Sequence, residues 1–214
     1  ADADGDGLGD LPGIRSRLPY LKDLGVDAVW ITPFYRSPQA DFGYDVADYR
    51  AVDPSYGTLD DARALLDDAH ALGLRVIVDL VVNHTSDKHP WFKAARSSPK
   101  SPYRDYYVWR DEPPKDQPAP VFPDQETSDW QYDEKAGQYY QHVFYRQQPD
   151  LNITDERVRD EIAKVIGFWL QLGVSGFRID AVPFLLQTQG IIDGARKLPD
   201  PHAYLRSLRS FAQR

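Results

Sequence analysis

Cysteine and methionine are both missing from this chain of 214 residues. The absence of cysteine excludes disulfide bonds and thiol chemistry, and it favours a cytoplasmic location. No apolar run approaches the ~20 residues that a membrane-spanning helix needs, and we see no signal peptide, so contact with a membrane is not expected. Because no methionine is available as a start residue, we interpret the sequence as an internal part of a longer protein.

Basic residues are in the minority as well. The 25 Lys and Arg residues face 33 Asp and Glu residues, which gives a net charge of −8. Since no basic cluster reverses this balance, nucleic acid is not a predicted partner. Aromatic residues instead make up 13% of the chain, a content that suits a polar substrate with apolar faces, such as a sugar. The sequence indicates no particular oligomeric state.

Short apolar strands alternate with amphipathic helices along most of the chain. The run from Arg75 to Val82 is almost entirely apolar or β-branched, which is typical of a parallel strand buried on both faces. The alternation predicts an α/β protein, either a doubly wound sheet or a (β/α)8 barrel. In both architectures the chemistry lies in the loops that follow the carboxyl ends of the strands. Strands are predicted over residues 27–32, 75–82 and 174–179, and helices over residues 12–24, 58–72 and 154–173 and from Asp200 onward.

Two threonines are the predicted caps of the second and third helices. Thr58 is followed by Asp61 at the spacing of a modified capping box. Thr154 precedes Asp155 and Glu156, whose carboxylates suit the positive first turn of a helix. The third helix is expected to bury one apolar stripe, formed by Val158, Ile162, Val165, Ile166 and Trp169.

The regular periods disappear between Thr85 and Leu151, where prolines, aromatic residues and charges dominate. A connection of this length indicates a function of its own or a small inserted domain. Within it, residues 130–132 and 138–144 are predicted to form the two short strands of a hairpin.

At the start of the chain, aspartates recur at every second position with glycines between them. Acidic oxygens at this spacing can wrap a hard cation such as calcium. A solvated acidic turn is the alternative interpretation. The predicted calcium ligands are Asp2, Asp4, Asp6, Leu8 and Asp10.

Polar side chains gather at the ends of two predicted strands. Asp79, Asn83 and His84 lie at the end of one strand, and Arg178 and Asp180 lie at the end of the next. Residues two apart on a strand point to the same side, so Arg178 can hold Asp180 ionised, and an ionised, oriented aspartate is a nucleophile. For these two residues alone, a structural ion pair is the alternative. The presence of a second strand-end cluster favours a catalytic site.

These motifs resemble those of the α-amylase superfamily, glycoside hydrolase family 13. The likeness is carried by Asp79 to His84, by Gly176 to Val182 and by Gln148 to Asn152, and it extends over essentially the whole chain. It implies a (β/α)8 barrel, of which this chain forms part, with a B domain inserted after the third strand. The expected divisions are residues 1–84 for the first part of the barrel, 85–151 for the B domain and 152–214 for the continued barrel.

The resemblance also implies roles for individual residues. Asp180 would be the nucleophile that forms a covalent glucosyl-enzyme, and Arg178 would keep it ionised. The proton donor, a Glu after the fifth strand, and a third acidic residue after the seventh would lie outside this chain, which is therefore expected to be inactive alone. No organic cofactor is implied. The residues implied to bind the glucose ring are Asp41, Tyr44, His84, Phe144 and Gln148.

A second calcium site is implied by the same family, with Asn83 and Asp150 as ligands. One branch of the family supplies a further ligand to this site, a Glu that follows shortly after the nucleophile. This chain has Gln187 at that place, so the implied site has one anionic ligand fewer.

Within the family, residues 124–130 and 180–185 resemble the branch that isomerises maltose to trehalose. Ala181, directly after the nucleophile, is similar to members that act on α-1,4 rather than α-1,6 bonds. Maltose is therefore the expected substrate and retaining α-glucosyl transfer the expected reaction, with α-1,4-glucosidase or oligo-1,6-glucosidase-like hydrolysis as the alternative. A non-catalytic scaffold on the same barrel is an alternative of another class, although Asp180, Arg178 and His84 are all present here.

Overall fold

Three parallel strands form the centre of the computed structural model, which describes residues 1–187 and 202–213. The strands are β1 (Ala28–Ile31), β4 (Arg75–Leu80) and β8 (Gly176–Ile179), and β4 lies in the middle of the order β1-β4-β8. The predicted parallel pairing is thus confirmed, and the carboxyl ends of the three strands lie at one edge of the sheet. The middle strand is the most deeply buried of the three, because it has a neighbouring strand on either side.

The longer helices occupy the predicted parts of the chain. They are α1 (Leu11–Asp23), α2 (Leu59–Ala71), α4 (Glu156–Leu172) and α6 (Ala203–Ala212). No helix within the described residues is long and apolar enough to cross a membrane. The predicted start of the last helix at Asp200 lies outside the described residues.

Helix α4 buries the apolar stripe that its sequence predicts, and Gly173 ends it in a left-handed conformation with φ of 115°. The stripe includes Trp169, which has no exposed surface. Its indole Nε1 donates a hydrogen bond of 2.7 Å to the carbonyl of Tyr49. This bond fixes the helix against the strand segment around Tyr49 without leaving a buried polar group unpaired.

One of the two predicted helix caps is confirmed and the other is wrong. Thr58 and Asp61 form a reciprocal capping box at the start of α2. At the start of α4 the cap is Asp155, whose carboxylate accepts a hydrogen bond from the backbone N–H of Arg157. Thr154 is engaged elsewhere, because its hydroxyl donates to the side chain of Asn152.

Residues 85–151 contain a separate antiparallel sheet in the order β5-β7-β6. Strand β6 (Trp130–Asp133) pairs with β7 (Gln138–Gln141), which confirms the predicted hairpin, and β5 (Trp109–Arg110) pairs with the other side of β7. The boundaries of a B domain remain a prediction.

Several short elements were not predicted because none is long enough to show a hydrophobic period. The residue stretches involved are two to six residues long and combine aromatic with polar side chains. They are β2 (Tyr35–Arg36), β3 (Asp48–Val52), α3 (Pro90–Ala95), a 3-10 turn (Arg104–Tyr106), β5 and α5 (Val182–Gln187).

His89 caps the short helix α3 in a way that requires a neutral ring. Its Nδ1 accepts a hydrogen bond of 3.1 Å from the backbone N–H of Trp91, and the two rings lie 4.3 Å apart. Burial, together with the smaller effect of the Lys93 charge, lowers the pKa of His89 to about 3. In the unfolded chain the pKa is about 6.5.

This difference predicts an acid-labile contribution to stability. Between pH 6.5 and pH 3 the unfolded chain binds a proton that the folded chain does not, so the contribution is complete above pH 6.5 and is lost as the pH falls. Between pH 7 and pH 5 the loss amounts to about 2 kcal/mol. His89→Asn keeps a capping acceptor without a titrating ring. We expect the free energy of unfolding of full-length His89→Asn, measured in urea, to decrease less between pH 7 and pH 5 than that of the wild type. Equal decreases in the two proteins would contradict the assignment to His89.

Candidate active site

One guanidinium group joins two carboxylates at the ends of β4 and β8. The register of these strands places Asp79 opposite Arg178. Nη1 of Arg178 hydrogen-bonds to Oδ1 of Asp79 and lies 2.9 Å from Oδ1 of Asp180. The backbone N–H of Asp180 donates to the carbonyl of Leu80 at 3.1 Å. The residue that follows β8 is therefore held at the end of the middle strand.

Burial and the guanidinium act in opposite directions on the pKa of Asp79. Burial raises the pKa of the Asp79 carboxyl, and the hydrogen bond and charge of Arg178 oppose that rise. The same hydrogen bond, followed by the charges of Asp79 and Asp180, raises the pKa of Arg178. The indole Nε1 of Trp30 donates to Oδ2 of Asp79 at 2.9 Å, and the guanidinium lies 5.0 Å from the Trp30 ring. Each of the two oxygens of the Asp79 carboxylate thus accepts a hydrogen bond, and the orientation of this carboxylate fixes the position of the Arg178 guanidinium.

A second group of polar side chains faces this cluster. Nε2 of Gln148 donates to Oδ2 of Asp41 at 2.9 Å and lies 3.1 Å from Nε2 of His84. The same nitrogen of His84 lies 3.2 Å from the carbonyl of Tyr44. Burial lowers the pKa of His84 to about 4, so the imidazole is neutral near pH 7 and offers hydrogen bonds without adding charge.

Aromatic rings complete the walls. The Phe144 ring lies 5.2 Å from the His84 ring and 5.1 Å from the Phe184 ring. The Tyr44 hydroxyl lies 3.5 Å from Oδ2 of Asp79. Burial raises the pKa of Asp41, the hydrogen bond from Gln148 opposes the rise, and the charges of Asp45 and Asp180 add to it. Tyr44 links the two groups of polar side chains, because its hydroxyl lies beside Asp79 and its carbonyl lies beside His84.

The structure brings together all seven residues for which the sequence predicted catalysis or substrate binding. Their individual roles remain predictions. The sequence did not point to Trp30 or Asp45, and it gave Asp79 no role of its own. It also did not point to Tyr35, whose hydroxyl donates a hydrogen bond of 2.6 Å to the carbonyl of Asp79. Asp79 lies inside an apolar strand, where a charged residue is itself a signal. Nothing comparable marks Trp30, because an aromatic residue in a strand is ordinary.

Asp45 positions the loop that carries Asp41. Its buried carboxylate accepts hydrogen bonds from the hydroxyl of Ser37 at 2.8 Å, the backbone N–H of Ala40 at 2.9 Å and the backbone N–H of Asp41 at 3.0 Å. Three donors on one carboxylate form a strong local constraint. Asp41 can therefore project into the pocket from a loop without regular structure.

In the acidic loop at the start of the chain, the structure brings together three of the five predicted cation ligands. Carboxylate oxygens of Asp2, Asp4 and Asp10 lie within 4.8 Å of one another. Asp6 is not part of this trio among the described residues, and its Oδ1 accepts from the N–H of Leu8 at 2.7 Å. Hydrogen bonds from the N–H groups of Gly7 and Gly5 lower the pKa of Asp2, which keeps an oxygen ligand ionised. A ligand role for Leu8 remains a prediction.

The second pair of predicted calcium ligands, Asn83 and Asp150, also has free oxygens. Nδ2 of Asn83 donates to Oδ1 of Asp150 at 3.1 Å. Within the described residues, Oδ1 of Asn83 and Oδ2 of Asp150 are buried and have no hydrogen-bond partner. Such oxygens suit a hard cation, so the residues present fit one. The side chain of Gln187 lies outside what the structure describes.

Fold and site together define a parallel α/β protein whose strand ends carry carboxylates, a guanidinium, an imidazole and aromatic rings around one pocket, as suits a sugar. The model of the alpha amylase catalytic domain matches residues 1–213, and the chain belongs to this family. The predicted fold class, part of a (β/α)8 barrel, is confirmed.

Relatives and solved structures agree with this membership. The chain is 48% identical over 211 residues to trehalose synthase from Pimelobacter sp. (strain R48), covering 98% of this chain and 36% of that protein. It is 46% identical over 198 residues to oligo-1,6-glucosidase from Parageobacillus thermoglucosidasius, covering 90% of this chain and 34% of that protein. The crystal structure of trehalulose synthase from Pseudomonas mesoacidophila MX-45 superposes with a TM-score of 0.86 at 40% identity, covering 99% of this chain and 40% of the other. The chain thus spans about a third of the length of the curated relatives it matches.

The Asp45 network makes a prediction that can be tested at single amides. In Asp45→Asn, an NH2 group replaces one carboxylate oxygen, so at least one buried donor loses its acceptor, at a cost of about 1–3 kcal/mol. We expect the amides of Ala40 and Asp41 to exchange with deuterium about tenfold faster or more.

The control is Asp48→Asn, in which an exposed aspartate accepts a single hydrogen bond, from the N–H of Arg50 at 2.9 Å. Exchange at residues 40 and 41 should not change in this variant. Unchanged exchange in Asp45→Asn as well would show that Asp45 does not hold the loop.

Proposed function

We propose that the full-length protein transfers an α-glucosyl group with retention of configuration and that its main reaction converts maltose into trehalose. The observation that carries this proposal is the single guanidinium of Arg178, hydrogen-bonded to both Asp79 and Asp180 at the strand ends. This guanidinium orients the carboxylate of Asp180 beside a group of side chains that can bind hydroxyls. Nucleophilic attack on a sugar requires such an arrangement.

In the first step, a carboxylate oxygen of Asp180 attacks C1 of the non-reducing glucose of maltose. The bond between C1 and the bridging O4 breaks, and its electron pair leaves with the oxygen. That oxygen takes a proton from a general acid, a role that the family pattern gives to a Glu after the fifth barrel strand. The products are a β-linked glucosyl ester on Asp180 and free glucose.

In the second step, the glucose that remains in the pocket turns and presents its anomeric hydroxyl. This oxygen attacks C1 and gives its proton to the same Glu, while the ester bond breaks and Asp180 is released as a carboxylate. The new bond is α,α-1,1, and the product is trehalose. If water attacks instead, the product is glucose, so the balance between isomerisation and hydrolysis depends on keeping water out.

The facing side chains suit the glucose ring bound at the nucleophile. The carboxylate of Asp41 accepts hydrogen bonds from sugar hydroxyls, and the neutral ring of His84 adds a donor or acceptor. Gln148 holds both of these side chains through its amide. Tyr44 and Phe144 cover the apolar face of the sugar, as aromatic residues do in carbohydrate pockets.

Hydrolysis is the second candidate, because an oligo-1,6-glucosidase is also 46% identical to the chain. A non-catalytic scaffold is less consistent with the site, since the buried Asp79 and the paired Arg178 and Asp180 form an arrangement that a binding protein does not need.

The proposal is tested by incubating the full-length protein with maltose and separating the products by chromatography. We expect mostly trehalose from the wild type. If the product is mostly glucose, hydrolysis and not isomerisation is the main reaction. Asp180→Asn should reduce either activity by about 10⁴-fold or more with unchanged circular dichroism, because the amide is not a nucleophile. The control is Asp67→Asn, on the exposed side of α2, which should keep wild-type rates. Turnover by Asp180→Asn at the wild-type rate would refute the assignment of Asp180 as the nucleophile.

Calcium is the ion that we propose for the loop of Asp2, Asp4 and Asp10. These residues would hold it through carboxylate oxygens, and it would act as a structural link, without a part in the chemistry. Asp10 also caps helix α1 by accepting from the N–H of Gly13. A cation there would tie the acidic loop to the first helix of the barrel.

Calcium should therefore raise the thermal midpoint of the chelator-treated full-length protein. Asp4→Asn removes one charged ligand and should reduce that rise, whereas Asp23→Asn, at the exposed end of α1, should retain it. Equal calcium-induced rises in Asp4→Asn and in the wild type would exclude the loop as a binding site.

A further inference from the structure

The turn of residues 145–148 carries Gln148 into the pocket, and its own hydrogen bonds orient that side chain. The N–H of Gln148 donates to the carbonyl of Tyr145 at 2.7 Å, and the N–H of Tyr145 donates to Oε1 of Gln148 at 3.1 Å. Nε2 of the same side chain donates to Asp41 and lies beside His84. Because the turn binds one end of the amide, the conformation of the turn determines where the other end meets Asp41 and His84.

A buried carboxylate from another loop holds the middle of this turn. Glu126 is 5% exposed, and its Oε1 accepts a hydrogen bond of 2.9 Å from the backbone N–H of Arg146. The guanidinium of Arg146 contacts the same carboxylate, through Nε at 3.3 Å and Nη2 at 3.2 Å. Since the Arg146 side chain is 54% exposed, this ion pair is screened by water and contributes little. The bond to the backbone is the stronger constraint on the turn, because it acts directly on the peptide between Tyr145 and Arg146.

The loop that supplies Glu126 also contacts the turn with an aromatic ring. The backbone N–H of Glu126 donates to the carbonyl of Phe122 at 2.9 Å, which closes this loop tightly. The Phe122 ring stacks on the Tyr145 ring, with the ring centres 4.8 Å apart and the planes 16° apart, and it lies 6.1 Å from the Phe144 ring. One short loop therefore contacts both the backbone and the aromatic side chains of the segment that carries Gln148.

Two further hydrogen bonds hold the turn from other parts of the fold. The Tyr140 hydroxyl donates to the carbonyl of Arg146 at 2.6 Å, and the N–H of Asp87 donates to the carbonyl of Gln147 at 2.8 Å. Both of these bonds engage carbonyl oxygens, whereas Glu126 engages an N–H group. Replacement of Glu126 should therefore leave the turn attached to the fold but release the peptide that precedes Arg146.

We propose that Glu126 is a positioning residue of the pocket. Its carboxylate fixes the turn, and the turn fixes the amide of Gln148 against Asp41 and His84. The inference rests on the proposed function, because it requires a glucose ring bound at these two side chains. It also gives a role to part of the stretch of residues 124–130, to which the reaction itself assigns none.

The competing explanation is that Glu126 only stabilises the inserted segment. In that case its replacement lowers the free energy of unfolding, but the protein that remains folded binds a glucose-like ligand as the wild type does. If Glu126 acts through Gln148, the folded variant binds that ligand more weakly. Ligand affinity, measured at a temperature where each variant is folded by circular dichroism, separates the two explanations.

The probe is 1-deoxynojirimycin, an iminosugar with the shape of glucose, titrated calorimetrically into the full-length protein. Glu126→Ala should bind it about tenfold more weakly than the wild type, which is 1.4 kcal/mol. Glu126→Gln keeps an acceptor for the N–H of Arg146, and it should bind within about threefold of the wild type, since the exposed guanidinium can turn into water. The control is Glu134→Ala, an exposed glutamate in the turn between β6 and β7, which should keep the wild-type affinity.

Equal affinities of Glu126→Ala and the wild type overturn the inference. A Glu126→Gln variant that binds as weakly as Glu126→Ala overturns it too, because the hydrogen-bond acceptor would then not be the important feature. Either result leaves the proposed function standing, since the wild type still binds the iminosugar. A wild type that does not bind the iminosugar contradicts the proposed function, and the inference then fails with it.

A measurement on the wild type covers the case in which Glu126→Ala does not fold. Coupling between two sites is reciprocal, so a ring bound at Asp41 and His84 should stabilise the turn that positions them. We expect saturating 1-deoxynojirimycin to slow the deuterium exchange of the Tyr145 and Arg146 amides by about threefold or more. Unchanged exchange at both amides in the ligand-bound protein would show that the turn and the pocket are independent, and it would overturn the inference.

Discussion

The ion pair between Arg178 and Asp79 is the constraint on which the site depends. Asp79 has no exposed surface, so without a counter-charge its burial would be too costly to sustain the ionised form. The guanidinium that stabilises Asp79 also reaches Asp180. Because the same group performs both tasks, the geometry of the candidate nucleophile is set by the packing of the barrel strands, and a loop adjustment cannot change it independently.

The rest of the pocket is attached to this rigid base through loops, and each loop is fixed by buried polar contacts. Asp45 holds the loop of Asp41 and Tyr44, and Gln148 connects Asp41 to His84. Gln148 comes from the inserted segment after the third strand. The candidate substrate-binding side chains therefore come from three distant parts of the chain, and each part depends on a neighbour for its orientation. Such interdependence favours cooperative changes over graded ones when one member is replaced.

The sequence was sufficient for the elements with a long hydrophobic period and for motifs in which residue type and spacing act together. The apolar stripe of α4 and the cluster of Asp79, His84, Arg178 and Asp180 belong to this group. It was insufficient where a tertiary contact decided the outcome. Thr154 and Asp155 are both good capping residues, and only the competing hydrogen bond to Asn152 selects between them. Trp30 looked ordinary, because its significance lies in a contact with Asp79, far away in the chain.

Ala181 shows how the backbone after the candidate nucleophile shapes the pocket. Its φ of 53° is left-handed, a conformation that β-branched residues adopt only with strain. The turn sends the chain directly into α5, and the N–H groups of Phe184 and Leu185 both donate to the carbonyl of Ala181. As a result, the Phe184 ring meets Phe144 from the inserted segment. This aromatic wall therefore requires both the left-handed residue and the insert. If the full-length protein transfers a glucosyl group as proposed, a change in either one should alter the competition between water and a sugar hydroxyl for that group.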